Sequence, residues 1–78
     1  MNGCKLEIKK KLEDNIGKKV ILTMKKKDRD NSFTREVTIL KVFSDTVIAK
    51  GLSVMEWPYV IDDGEMEMLK VEVCNDKN

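Results

Sequence analysis

With 78 residues, the chain has room for one folded unit, whose core buries about 60 % of the surface that its unfolded form exposes. It has no histidine, and its two cysteines, Cys4 and Cys74, stand near opposite ends, so the composition offers neither a histidine base nor a structural zinc site. Net charge is only +1, yet residues 1–41 carry 12 Lys/Arg against 6 Asp/Glu and residues 42–78 carry 3 against 8, an asymmetry that the fold must either neutralise or display.

The charged start Met1-Asn2-Gly3-Cys4-Lys5 lacks the apolar region of a signal peptide, and no apolar run reaches a membrane span. The expectation is a cytoplasmic chain with reduced thiols. A Cys4–Cys74 bridge would require the two Cα atoms to approach within about 7 Å.

From residue 5 to residue 16 the pattern reads as a short helix. Ile8, Leu12 and Ile16 recur every four residues on one face, and Gly17 stands where a left-handed residue would end the helix. The alternation of Leu6 and Ile8 with Lys5, Glu7 and Lys9 leaves a strand as the competing reading.

After Gly17 the period changes to two. Val20, Leu22 and Met24 predict the core side of a first strand, and the wholly polar residues 25–32 predict a solvated loop. In the second strand Val37, Ile39 and Phe43 share one parity, while Thr38, Leu40 and Val42 share the other. Apolar residues on both faces predict a long, central, bent strand. Ser44-Asp45 then marks a turn into a third strand, Thr46 to Lys50, which ends at Gly51. Residues 52–58 read as a loop or single turn, because Pro58 bars a helix from the capping-box spacing of Ser53 and Glu56. Tyr59-Val60-Ile61 predicts a fourth strand, with Pro58 at its start or on an edge. Asp63-Gly64 predicts the two-residue turn of a hairpin, a pair that tolerates positive φ.

The last strand, Met66 to Val73, carries a parity conflict. Met66 and Met68 lie on one side, and Leu69, Val71 and Val73 on the other, so a bulge near Met68-Leu69 or a short 3₁₀ break is required. Asn75 to Asn78 reads as a frayed tail. The predicted core comprises Val20, Leu22, Val37, Ile39, Val47, Leu69 and Val71, with Leu12 and Ile16 over one end. The fold expected is mostly β: a small five-stranded SH3-like or Sm-like barrel with a short N-terminal helix.

The segment Glu7-Ile8-Lys9-Lys10-Lys11-Leu12-Glu13-Asp14-Asn15-Ile16-Gly17-Lys18-Lys19-Val20 resembles the opening of the Veg family of small bacterial proteins. Phe43-Ser44-Asp45-Thr46-Val47 resembles that family's aromatic-centred turn into a strand, and Tyr59 and Glu72-Val73 fall near its aromatic and acidic positions. Residues 25–29 stand where the family carries a segment rich in glycine and arginine, here without glycine. The resemblance implies an SH3-like small barrel with a regulatory, biofilm-associated role. Ile16-Gly17-Lys18-Lys19-Val20 is also similar to the opening of Sm-like RNA-binding barrels. The glycine, the methionine-asparagine pair and the arginine-glycine pair of those proteins have no counterpart here, so no RNA-site residue carries over.

Two constellations could bind a partner. Met55, Trp57, Pro58 and Tyr59 gather the only Trp and the only Tyr beside the only proline, as a protein-docking patch does; equally, Trp57 could plug one end of a small barrel. Lys18, Lys19, Lys25, Lys26, Lys27 and Arg29 could form a basic, nucleic-acid-binding rim, or a solvated loop partly cancelled by Asp28 and Asp30. The carboxylates Asp62, Asp63, Glu65 and Glu67 lack EF-hand spacing and read as a solvated turn. No catalytic constellation, metal site or cofactor-binding motif emerges. The sequence therefore predicts a non-enzymatic binding module with a protein partner, nucleic acid being the alternative, and charge-driven self-association a third reading.

Overall fold

The computed structural model describes residues 3–51 and 55–74, with side chains described from Lys5 onward. Helix α1 (Gly3–Glu13) precedes five antiparallel strands: β1 (Lys19–Lys26), β2 (Ser32–Val42), β3 (Thr46–Lys50), β4 (Glu56–Val60) and β5 (Met66–Val73). They form one sheet in the order β4-β3-β2-β1-β5, which makes the long β2 central, as its two apolar faces predict. The sheet is bent but not closed into a barrel. Its two outer strands approach each other around residues 61–68, where the Asp62–Glu67 bridge forms, the Met68 N–H donates to the Ile61 carbonyl at 2.8 Å and the Asp63 N–H donates to the Met66 carbonyl at 3.0 Å.

Alternation builds the core. Val20, Leu22 and Met24 of β1 face Val37 and Ile39 of β2, Val47 and Ala49 of β3, Ile61 after β4, and Met68 and Val71 of β5, all buried. Helix α1 packs against β2 and β5, contributing Ile8 and Leu12.

The helix stops three residues short of the predicted end. The side chain of Asn15 donates to the Lys11 carbonyl at 2.7 Å, and the Asn15 N–H tightens onto the Leu12 carbonyl at 3.1 Å. Ile16 is thereby carried off the helical face and is 51 % exposed instead of packed. Gly17 does adopt the left-handed conformation, φ +88°, but in the turn that leads to β1 rather than at the helix end. There its N–H donates to the Ile39 carbonyl at 2.7 Å, while the Ile39 N–H donates to Lys18, clamping the chain to β2 before β1 begins.

Two bulges redirect side chains. Pairing of β1 with β5 runs Thr23↔Lys70 and then Met24↔Met68, so Leu69 is the extra residue. The bulge lies where the parity conflict requires one, but it extrudes Leu69, which is 43 % exposed, and keeps Met68 and Val71 inside. Pairing of β2 with β3 runs Ile39↔Ala49 and then Lys41↔Ile48, which skips Leu40. Beyond that bulge the parity reverses: Val42 packs against the core, and Phe43 is 50 % exposed rather than aligned with Ile39.

The region before β5 also differs from expectation. Strand β4 begins at Glu56, so Trp57 and Pro58 lie within a strand rather than in a loop, and Pro58 sits on an edge strand as its missing N–H requires. The predicted loop at residues 52–54 and the tail at 75–78 lie outside the described residues. The turn before β5 centres on Gly64-Glu65, and Gly64 lacks positive φ. Asp63 organises it: Oδ1 accepts from the N–H groups of Glu65 at 2.7 Å and Met66 at 2.8 Å, an Asx arrangement that needs no glycine.

Candidate partner-docking groove

The register of β4 on β3 places Trp57 opposite Ala49 and Tyr59 opposite Val47. Both partners are core residues, so Trp57 and Tyr59 lie on the core face of the sheet, in line with buried Ile61. The core ends before β4 does. Ile61 is fully covered, Tyr59 is partly buried against the core, and Trp57, beyond the last core layer, is 57 % exposed.

Across the bend, the outer part of β2 supplies the opposite wall. Phe33 pairs with Met24 and Arg35 with Leu22, so both also belong to the core face but lie past the packed region. The Arg35 guanidinium stands over the Phe33 ring at 4.9 Å from its centroid. Between these walls runs a groove of about 530 Å³, lined by Trp57, Pro58, Tyr59 and Val60 on one side and by Phe33 and Arg35 on the other. Met24 and Met66 also line it, and Asp63 and Glu65 place two carboxylates on it.

Of the four residues expected to form a docking patch, the structure brings Trp57, Pro58 and Tyr59 onto the groove. Met55 is exposed at the entrance to β4 and is not part of its lining. Sequence reasoning missed Phe33, Arg35, Met66 and the carboxylates. Their place here follows from pairings between segments distant along the chain, for which the local pattern carries no signal.

The six basic residues do not form one rim. Lys18 and Lys19 stand at the start of β1 and Lys25, Lys26 and Lys27 at its end, about 23 Å away for a strand of this length. Three of the six have carboxylate partners: Lys19 with Glu36 at 3.5 Å, Lys25 with Glu67 at 3.7 Å, and Lys27 with Asp62 at 2.6 Å. The amine of Lys25 also donates to the Arg29 carbonyl at 3.0 Å. Lys5, 7 % exposed, donates to the Met68 carbonyl at 3.2 Å and pairs with the same Glu67. Three lysines of the basic first half, Lys5, Lys25 and Lys27, thus meet two carboxylates of the acidic second half, Glu67 and Asp62.

Among the described residues, no group of three or more His, Cys, Asp or Glu could hold a metal ion. Cys74 has a free, partly buried thiol. None of the helices among the described residues is long and apolar enough to cross a membrane. Comparison with protein-family models, with curated proteins and with solved structures finds no match for this chain.

Proposed function

We propose that this chain is a non-enzymatic regulatory module that docks on a protein partner through the groove beside Trp57, the kind of role that its resemblance to the Veg family implies. One observation carries the reading: the only tryptophan lies on the core face of the sheet yet stands beyond the core, 57 % exposed at the wall of an aromatic groove. A large aromatic in that position contributes little to the fold and offers much area to a partner. The nucleic-acid alternative draws less support, because its cations are split between the two ends of β1 and half of them are paired with carboxylates.

The test is capture from a nuclease-treated extract of the native cells, with wild type and Trp57→Ala side by side. Docking predicts that a protein retained by the wild type is lost from the variant, equivalent to about 2 kcal/mol or more of affinity, while the variant stays folded. Retention unchanged by Trp57→Ala, or retention that disappears with nuclease, contradicts it.

A further inference from the structure

The two outer edges of the sheet differ. On β4, the Ile61 N–H donates to the Asp45 carbonyl at 2.8 Å, so alternation turns the backbone of residues 56, 58 and 60 outward. Pro58, without an N–H, stands at the centre of that edge and blunts it. On β5, the Cys74 N–H donates to the Lys19 carbonyl at 3.0 Å. The backbone groups of Lys70 and Glu72 therefore turn toward β1, and those of Val71 and Val73 face outward, with the bulged Leu69 beside them. Residues 61–63 cover the start of this edge through the Met68–Ile61 and Asp63–Met66 hydrogen bonds. Past Met68, no segment among the described residues bonds to it.

The side chains along this open stretch are complementary to those of a reversed copy. Leu69 and Val73, both exposed, lie two residues to either side of Val71. Between them stand Lys70 and Glu72, both exposed, with Nζ and Oε2 3.5 Å apart. A two-fold axis at Val71 sets Leu69 of each copy against Val73 of the other, and Lys70 of each against Glu72 of the other. Outward-facing residues must meet outward-facing residues, so the nearest alternative registers are centred on residue 70 or residue 72. The first opposes Lys70 to its own copy, and the second opposes Glu72 to its own copy. Charge thus selects the register centred on Val71.

We propose that the outer edge of β5, from Leu69 to Val73, pairs with the same edge of a second copy, antiparallel about Val71, in a closed two-fold dimer. This goes beyond the docking reading and does not depend on it. The N–H and carbonyl of Val71 exchange hydrogen bonds with those of the second copy. Lys70 and Glu72 then meet in the pairs without hydrogen bonds, where side chains across a sheet stand closest. Leu69, which the bulge extrudes, and Val73 cover one another. Because both copies use one patch, association stops at two. Head-to-tail pairing of β5 with β4 of the next copy meets Pro58 instead. Five residues a side are fewer than the roughly 20–30 of a standard interface, so dimer and monomer exchange.

Analytical ultracentrifugation of the full chain at low salt, from about 10 μM to about 1 mM, should show a monomer–dimer equilibrium and nothing larger. Lys70→Glu and Glu72→Lys, both at exposed positions, should each weaken the dimer about tenfold or more, because like charges then face one another twice. Circular dichroism checks that each variant is folded. Mixing the two variants should restore association, since their charges are opposite at both pairs. The double exchange Lys70→Glu/Glu72→Lys should dimerise as the wild type does. A wild-type chain that stays monomeric up to about 1 mM overturns the proposal. Dimers that neither exchange weakens overturn it too, as does a mixture of the two variants that stays monomeric.

Discussion

Lys27 and Asp62 form the closest ion pair among the described residues, with Nζ 2.6 Å from Oδ1, near in distance though off the best hydrogen-bonding angle. The pair ties the exit of β1 to the segment between β4 and β5, where the two outer strands of the sheet approach. The close contact with Asp62 raises the pKa of Lys27, and the same contact lowers that of the carboxyl. Because the lysine pKa is raised, its contribution is present below the usual lysine range and disappears as pH rises through the folded value. Both groups reach solvent, so the effect on stability is small. Asp62→Asn should lower the thermal midpoint slightly at low salt, and the difference from wild type should shrink with added salt. A difference that grows with salt contradicts this account.

Asp63 contributes to the acid limb alongside Asp62. Hydrogen bonds from the Met66 and Glu65 N–H groups hold its carboxyl below the usual carboxylate range. A depressed carboxyl pKa contributes stability that is present above the unfolded value and is lost as pH falls through the folded one. Urea midpoints measured downward from neutral pH should therefore begin to fall only at and below the ordinary carboxylate range. Asp63→Asn keeps an oxygen acceptor for the turn and should flatten that fall. An unchanged acid limb in the variant would assign it to other carboxylates.

Lys5 is a buried cation that holds helix α1 to β5 through the Met68 carbonyl and Glu67. Its stem also covers apolar surface. Lys5→Ala should cost about 1–3 kcal/mol, since it strips a buried carbonyl of a charged donor. Amide exchange should locate the loss first in Gly3–Glu13, and protection of that helix equal to wild type would count against the latch.

The core makes a paired prediction. Leu12 is fully buried, and Leu12→Ala should destabilise by about 2–5 kcal/mol. Ile16→Ala, four residues on along the same predicted helical face, should lie within about 0.5 kcal/mol of wild type. Chemical denaturation of the two variants decides it, and equal costs would mean that the helix extends to Ile16 after all.

The outcomes at Leu12 and Ile16 show where the sequence is informative. Period-two runs fix β1 and β3, because each has one fully buried face. The bulge in β5 is legible as a conflict between Met68 and Leu69, but parity alone cannot say which of two apolar residues is extruded. Phe43 is misplaced for a related reason: β2 is apolar on both sides, so a bulge at Leu40 leaves no mark in its pattern. Ile16 is lost to Asn15, whose side chain competes with the helix backbone. At the candidate site, the Trp57-Pro58-Tyr59 wall is local and therefore legible. The Phe33, Arg35 and Met66 contributions exist only once β1 has paired with β2 and β5.

The central claim is that Trp57 serves a partner rather than the core, and acrylamide quenching of its fluorescence tests this most directly. With 57 % of the residue exposed, native protein should emit near the solvent-exposed limit and be quenched almost as readily as the urea-unfolded chain. Blue-shifted emission with quenching several-fold weaker than in the unfolded chain would make Trp57 a core residue and leave the docking groove without its anchor.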